Sequence, residues 1–145
     1  MSILSKSRII CVALIVAIIA TVITSLGSFT AFAATEGDYE YTVSNGKATI
    51  TKYNGRGCDV IIPSTFGGYP ITTIGDEAFK KCRSLTSISM PSVTNIDYLA
   101  FERCESLVNV YMPNVTTIGK GAFNDCYSLT SVNLPNATSD YQTNN

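Results

Sequence analysis

Between residues 74 and 135 the apolar positions recur with a fixed step. Phe79, Phe101 and Phe123 are 22 residues apart, and the same step joins Cys82, Cys104 and Cys126. Leu85, Leu107 and Leu129 follow it, as do Ile88, Val110 and Val132, then Met90, Met112 and Leu134, then Pro91, Pro113 and Pro135. An L-x-x-L-x-L-like core repeating every 20–29 residues is the signature of a solenoid coil, in which each repeat supplies one strand and a return segment. Within each coil the strand alternates, so Ile88 and Met90 face inward while Ser87 and Ser89 face solvent. The next coils turn out Asn109 with Tyr111, then Ser131 with Asn133. The prolines lack an N–H and so mark where each strand ends.

The return limbs, Ile96 to Phe101 and Ile118 to Phe123, are too short for ordinary helices, and a helical turn or 3₁₀ piece is expected there. The fold expected is therefore an α/β solenoid, a short stack of coils with parallel strands. Its structural ladder is Phe79, Phe101, Phe123, Cys82, Cys104 and Cys126, and each buried Phe contributes roughly 1.5–3 kcal/mol by area transfer.

Upstream the pattern loosens. Tyr39 to Val43, then Asn45-Gly46, then Ala48 to Tyr53 read as strand, turn, strand, a hairpin suited to capping the first coil. Asp59 to Pro63 reads as the end of a first coil strand. From Pro63 to Ile74 there are six residues more than in later coils. They include Phe66-Gly67-Gly68-Tyr69-Pro70, expected to leave the coil as a surface loop.

At the start, Lys6 and Arg8 precede an uncharged run from Ile9 to Leu26, and Ala31-Phe32-Ala33-Ala34 supplies small residues for a peptidase. This reads as an export signal cleaved after Ala33. The competing reading is a retained N-terminal membrane anchor, since the apolar run just reaches spanning length. The expected organisation is a signal peptide at 1–33, a cap hairpin at 34–60, a solenoid at 61–138 and a polar tail at 139–145. The tail offers no cap, and an open strand edge there invites self-association or cover by a partner.

Chemistry narrows the function further. The 145 residues contain no histidine, which removes Ser-His-Asp and Cys-His triads and the HExxH zinc site. Without the leader, eight basic residues stand against eleven acidic ones, and no basic run remains to track a nucleic acid. Asp76, Glu77, Asp97, Glu102, Glu105 and Asp125 show no spacing that sets two carboxylates across a cleft, so they read as solvated turn acids. Cys82, Cys104 and Cys126 read as small buried hydrophobes, with a disulfide between adjacent rungs as the second reading. Cys58 is the remaining cysteine beyond the leader. No metal site or cofactor is expected, and no enzyme activity. Asn114-Val115-Thr116 and Asn136-Ala137-Thr138 fit a glycosylation pattern but serve equally as turns.

The unit Ala-Phe-x-x-Cys-x-Ser-Leu-x-x-(Ile/Val)-x-(Met/Leu)-Pro, at 78–91, 100–113 and 122–135, resembles the BspA-like leucine-rich-repeat family of bacterial surface proteins. The likeness runs over residues 39–138. It implies a secreted or cell-surface protein of a family linked to adhesion and host-protein binding, with no catalytic motif to carry over. The expected function is an exported binding module that recognises an extracellular protein or glycan without a chemical step. The alternative is a structural spacer or a truncated remnant of a longer repeat protein. The expected contact face is Ser87, Ser89, Asn109, Tyr111, Ser131 and Asn133 on the outward strand positions, where Tyr111 supplies amphipathic area. Phe66 and Tyr69 on the expected loop form a second candidate.

Overall fold

The computed structural model describes residues 31–133. The leader run and the polar tail therefore lie outside the described residues. Two sheets enclose the core. The first begins with an antiparallel meander of β1 (Phe32–Glu36), β2 (Tyr39–Ser44) and β3 (Lys47–Tyr53). Parallel pairing then carries it through β6 (Tyr69–Ile74), β8 (Asn95–Ile96) and β10 (Thr117–Ile118). The second is wholly parallel and consists of β4 (Asp59–Ile61), β7 (Ser87–Ser89), β9 (Asn109–Tyr111) and β11 (Ser131–Asn133).

Register follows the sequence period. Ile74 pairs with Ile96 and Ile96 with Ile118, while Val60, Ile88, Val110 and Val132 align across the other sheet. The rings of Phe79, Phe101 and Phe123 stack between the sheets with centroids 5.1 and 5.2 Å apart, near the spacing of adjacent strands. Phe79 and Phe101 are fully buried, and so are Leu85, Met90, Leu107 and Met112 beside them. The turn of the cap hairpin at Asn45-Gly46 has positive φ at both residues, 52° and 72°, as a tight hairpin matched to strand twist requires.

The expected helical component is overturned. Among the described residues there is no helix, and the molecule is an all-β solenoid rather than an α/β one. The reason lies in where the return-limb N–H groups go. Ala78, Lys80 and Cys82 donate within the limb, to Gly75, Glu77 and Phe79, at 3.2, 3.0 and 3.1 Å. The alternate residues Glu77, Phe79 and Lys81 donate instead to Tyr98, Ala100 and Glu102 on the next coil, at 3.0, 2.8 and 2.7 Å. A helix needs each of those N–H groups for its own i−4 carbonyl. Turning alternate groups outward requires left-handed residues, found at Glu77, Leu99 and Gly121 and again at Lys81, Arg103 and Asp125.

Two other segments differ from expectation. The insertion after Pro63 folds as a hairpin of β5 (Thr65–Phe66) and β6, with positive φ at Gly67 and Gly68. Phe66 does not leave the coil. It is buried, with its ring 5.0 Å from Tyr41 and 5.1 Å from Tyr39. The cap also gains β1, whose Phe32 lies opposite Val43 and sets its ring 5.8 Å from Tyr69. Asp59 and Val60 lie in β4 of the parallel sheet, where Asp59 to Pro63 was expected to end a first coil strand.

Candidate functional site

The parallel sheet positions the candidate site. Alternation sends Val60, Ile88 and Val110 into the core and turns two columns outward. One outward column is Asp59, Ser87 and Asn109; the other is Ile61, Ser89 and Tyr111. These two columns line an open groove of about 440 Å³. The backbone of β11 continues both columns, with Ser131 aligned to Asn109 and Asn133 to Tyr111. The side chains of Ser131 and Asn133 lie outside the description.

Two large apolar groups flank the groove where small polar side chains fill its middle. Ile61 is 75% exposed and Tyr111 51% exposed, one strand to either side of Ser89. At the other column the Ser87 hydroxyl donates to Asp59 Oδ1 at 2.6 Å, and the Thr86 hydroxyl lies 3.1 Å from the same oxygen and 3.0 Å from the Cys58 carbonyl, sharing its one proton between them. Asp59 is thus held in place on the strand that opens the sheet.

Of the residues expected to make contact, the structure brings Ser87, Ser89, Asn109 and Tyr111 onto one groove. Phe66 is in the core and Tyr69 is half-buried against Phe32. Asp59 and Ile61 were not among the expected contacts. Aligning Asp59-Val60-Ile61-Ile62-Pro63 with Ser87 to Pro91 would have found them, since the same alternation runs through both.

The cysteine ladder is internal. The Cys104 thiol donates to the Phe79 carbonyl and the Cys126 thiol to the Phe101 carbonyl, each at 3.1 Å, tying each of these two coils to the one before it. The four cysteines of the described residues are free thiols: Cys58 exposed, Cys82 half-buried, Cys104 and Cys126 buried. Hydrogen bonding to the Cys126 thiol, then to that of Cys82, together with burial pushes the Cys104 thiol up, so it stays protonated. Among the described residues no group of three or more His, Cys, Asp or Glu side chains is arranged to hold a metal ion.

Four of the turn carboxylates pair with bases. Glu77 and Glu102 hold Lys80 at 2.7 and 2.9 Å, Glu105 meets Arg83 at 3.1 Å and Asp125 meets Arg103 at 3.3 Å. Asp76 accepts the backbone N–H of Tyr98. Burial, then the neighbouring Asp76 charge, raises the Asp97 carboxyl above its ordinary value. The Asn114 side chain donates to the Pro91 carbonyl at 2.6 Å, bracing one turn against the preceding one.

A stack of short parallel strands, closed at one end by a meander and presenting an outward groove, defines a leucine-rich-repeat solenoid. A family model describing a BspA type leucine rich repeat region of six copies matches residues 49–145. The chain belongs to that family. Among solved structures it is similar to a leucine rich repeat protein of T. pallidum, at 31% identity and a TM-score of 0.63, over 68% of this chain and 48% of that one. A leucine-rich repeat protein from Bacteroides capillosus is 32% identical with a TM-score of 0.61, over 67% of this chain and 78% of that one. A third, from Bacteroides ovatus, shares the fold at 22% identity and a TM-score of 0.51, over 68% and 40% of the two chains. The chain thus spans about half the length of the T. pallidum protein. No curated protein compared with the sequence matches it.

Proposed function

We propose that this protein is an exported recognition module that binds a protein or glycan outside the cytoplasm through the outward face of its parallel sheet. The observation that carries the reading is the exposure of Ile61 and Tyr111 on either side of the Ser89 rung. A solenoid needs neither for its own stability, because inward positions alone build the core. Amphipathic and apolar groups held on a rigid sheet lose little entropy on binding, which favours contact at that face. Export is supported by the charged, then apolar, then small-residue order of the first 33 residues.

The test immobilises the full chain and exposes it to extracellular-matrix and cell-envelope extracts. The expected result is a saturable partner whose retention falls when Tyr111→Ala removes the exposed ring. Absence of any saturable partner, or retention indifferent to that substitution, returns the chain to the role of a spacer. Intact mass of the secreted product checks export, with a chain starting at Ala34 expected and a membrane-retained full-length chain as the contrary outcome.

A further inference from the structure

The groove has one charge and one apolar gap. Asp59 is the only ionisable acid or base lining its carboxylate column, and among the described residues it has no ion-pair partner. The Ser87 hydroxyl donates to its Oδ1 at 2.6 Å, and the Thr86 hydroxyl, shared with the Cys58 carbonyl at 3.0 Å, lies 3.1 Å from the same oxygen. They fix the carboxylate's orientation and leave the Oδ2 side for an incoming donor. Ile61 and Tyr111 stand two strand spacings apart, about 10 Å, with the small Ser89 between them. That gap admits one apolar side chain. Asp59 lies two residues before Ile61, about 7 Å along the strand, which is the spacing of alternate side chains in an extended peptide.

We propose that the groove docks an extended protein segment that places a Lys or Arg side chain on Asp59 and, two residues away, an apolar side chain between Ile61 and Tyr111. This rests on the reading of the sheet face as the contact surface and names its occupant. A basic segment is favoured over a glycan because a Lys or Arg donor brings the charge opposite to the Asp59 carboxylate, which has no ion-pair partner among the described residues, whereas a sugar hydroxyl is a neutral donor. The net acidity of the chain beyond its leader acts in the same direction by attracting cationic partners.

The experiment titrates the isotopically labelled full chain with the peptide acetyl-Ser-Lys-Ser-Phe-Ser-amide and follows the backbone amides by NMR. Amides of residues 59–61, 87–89 and 109–111 are expected to shift saturably. Replacing the peptide Lys by Glu is expected to weaken binding about fivefold, and so is Asp59→Asn, which keeps an acceptor for the two hydroxyls. Tyr111→Ala and Ile61→Ser are each expected to weaken it about fivefold or more, with the amide spectrum otherwise retained. Equal response to the Lys and Glu peptides overturns the proposal, as does unchanged affinity in Asp59→Asn. Saturable shifts of the same amides with maltotetraose but not with the peptide also overturn it, while leaving the face as a glycan surface. Silence of these amides toward both probes overturns it as well, and partner retention on the immobilised chain then judges the face separately.

Discussion

The ring of Tyr53 stacks on that of Phe79 with centroids 4.9 Å apart, although 26 residues separate them where each later pair is separated by 22. The Tyr53 N–H also donates to the Ala78 carbonyl at 2.8 Å, the bond that Phe79 and Phe101 make to Ala100 and Ala122. Tyr53 is therefore the first rung of the aromatic stack, contributed by the cap. Its neighbour Ile50 likewise aligns with Ile74 at the head of the Ile74, Ile96, Ile118 ladder. The cap is continuous with the solenoid core and does more than cover its end.

Tyr53→Ala is accordingly expected to destabilise the protein by about 3–5 kcal/mol, the cost of emptying a buried aromatic site. Tyr53→Phe keeps the stack and loses only the acceptor for the Gly57 N–H, at 3.3 Å, for about 1 kcal/mol or less. Chemical denaturation of the three proteins measures both. Equal stability of Tyr53→Ala and the unaltered protein would separate the cap from the core.

Gly119 is the tightest test of the coil spacing. A Cβ there would lie 2.6 Å from the Asp97 carbonyl carbon and 2.7 Å from the Tyr98 nitrogen, both backbone atoms of the previous coil. Gly119→Ala is expected to cost about 1–3 kcal/mol through overpacking, read as a lowered denaturation midpoint. An unchanged midpoint would mean that adjacent coils are farther apart than described.

Thiol reactivity reports the ladder. Cys58 is exposed and is expected to react with iodoacetamide in the folded protein, whereas Cys104 and Cys126 react only on unfolding. Burial and the hydrogen bonds to the Phe79 and Phe101 carbonyls protect the two inner thiols. Peptide mapping after timed alkylation distinguishes the groups. Labelling of Cys104 at the rate of Cys58 would be incompatible with a closed stack.

Alkaline pH tests the cap. Burial, followed by the influence of Tyr53 and Asp38, pushes Tyr39 up to about 12. Its folded value is above its unfolded value of roughly 10, so the unfolded chain loses that proton first. The stabilisation is complete below about pH 10 and is lost as pH rises toward 12. Tyr39→Phe is expected to flatten the fall in denaturation midpoint over this window. An equally steep fall in that variant would assign it to other groups, Tyr41 among them, whose hydroxyl burial also raises.

Much of the architecture was legible in the chain. The 22-residue step placed Phe79, Phe101 and Phe123 on consecutive rungs, and strand alternation turned Ser87, Ser89, Asn109 and Tyr111 to one face. The helix expectation failed at residues such as Leu99 and Arg103, good helix formers that adopt φ of 51° and 59°. Among the six left-handed limb positions Gly121, and to a lesser degree Asp125, announce that conformation by their type. Phe66 was misplaced because glycine-rich flanks suit a surface loop and a tight hairpin equally well.

Periodic hydrophobicity is a local property, written one residue after another, and it determined the repeat length, the inward side chains and the outward polar rungs. Which carbonyl each return-limb N–H finds depends on a coil that is distant in sequence, and only assembly of the stack made the limbs turns instead of helices. The same is true of Tyr53: the space beside a neighbouring coil, not a numerical step, puts it into the aromatic stack.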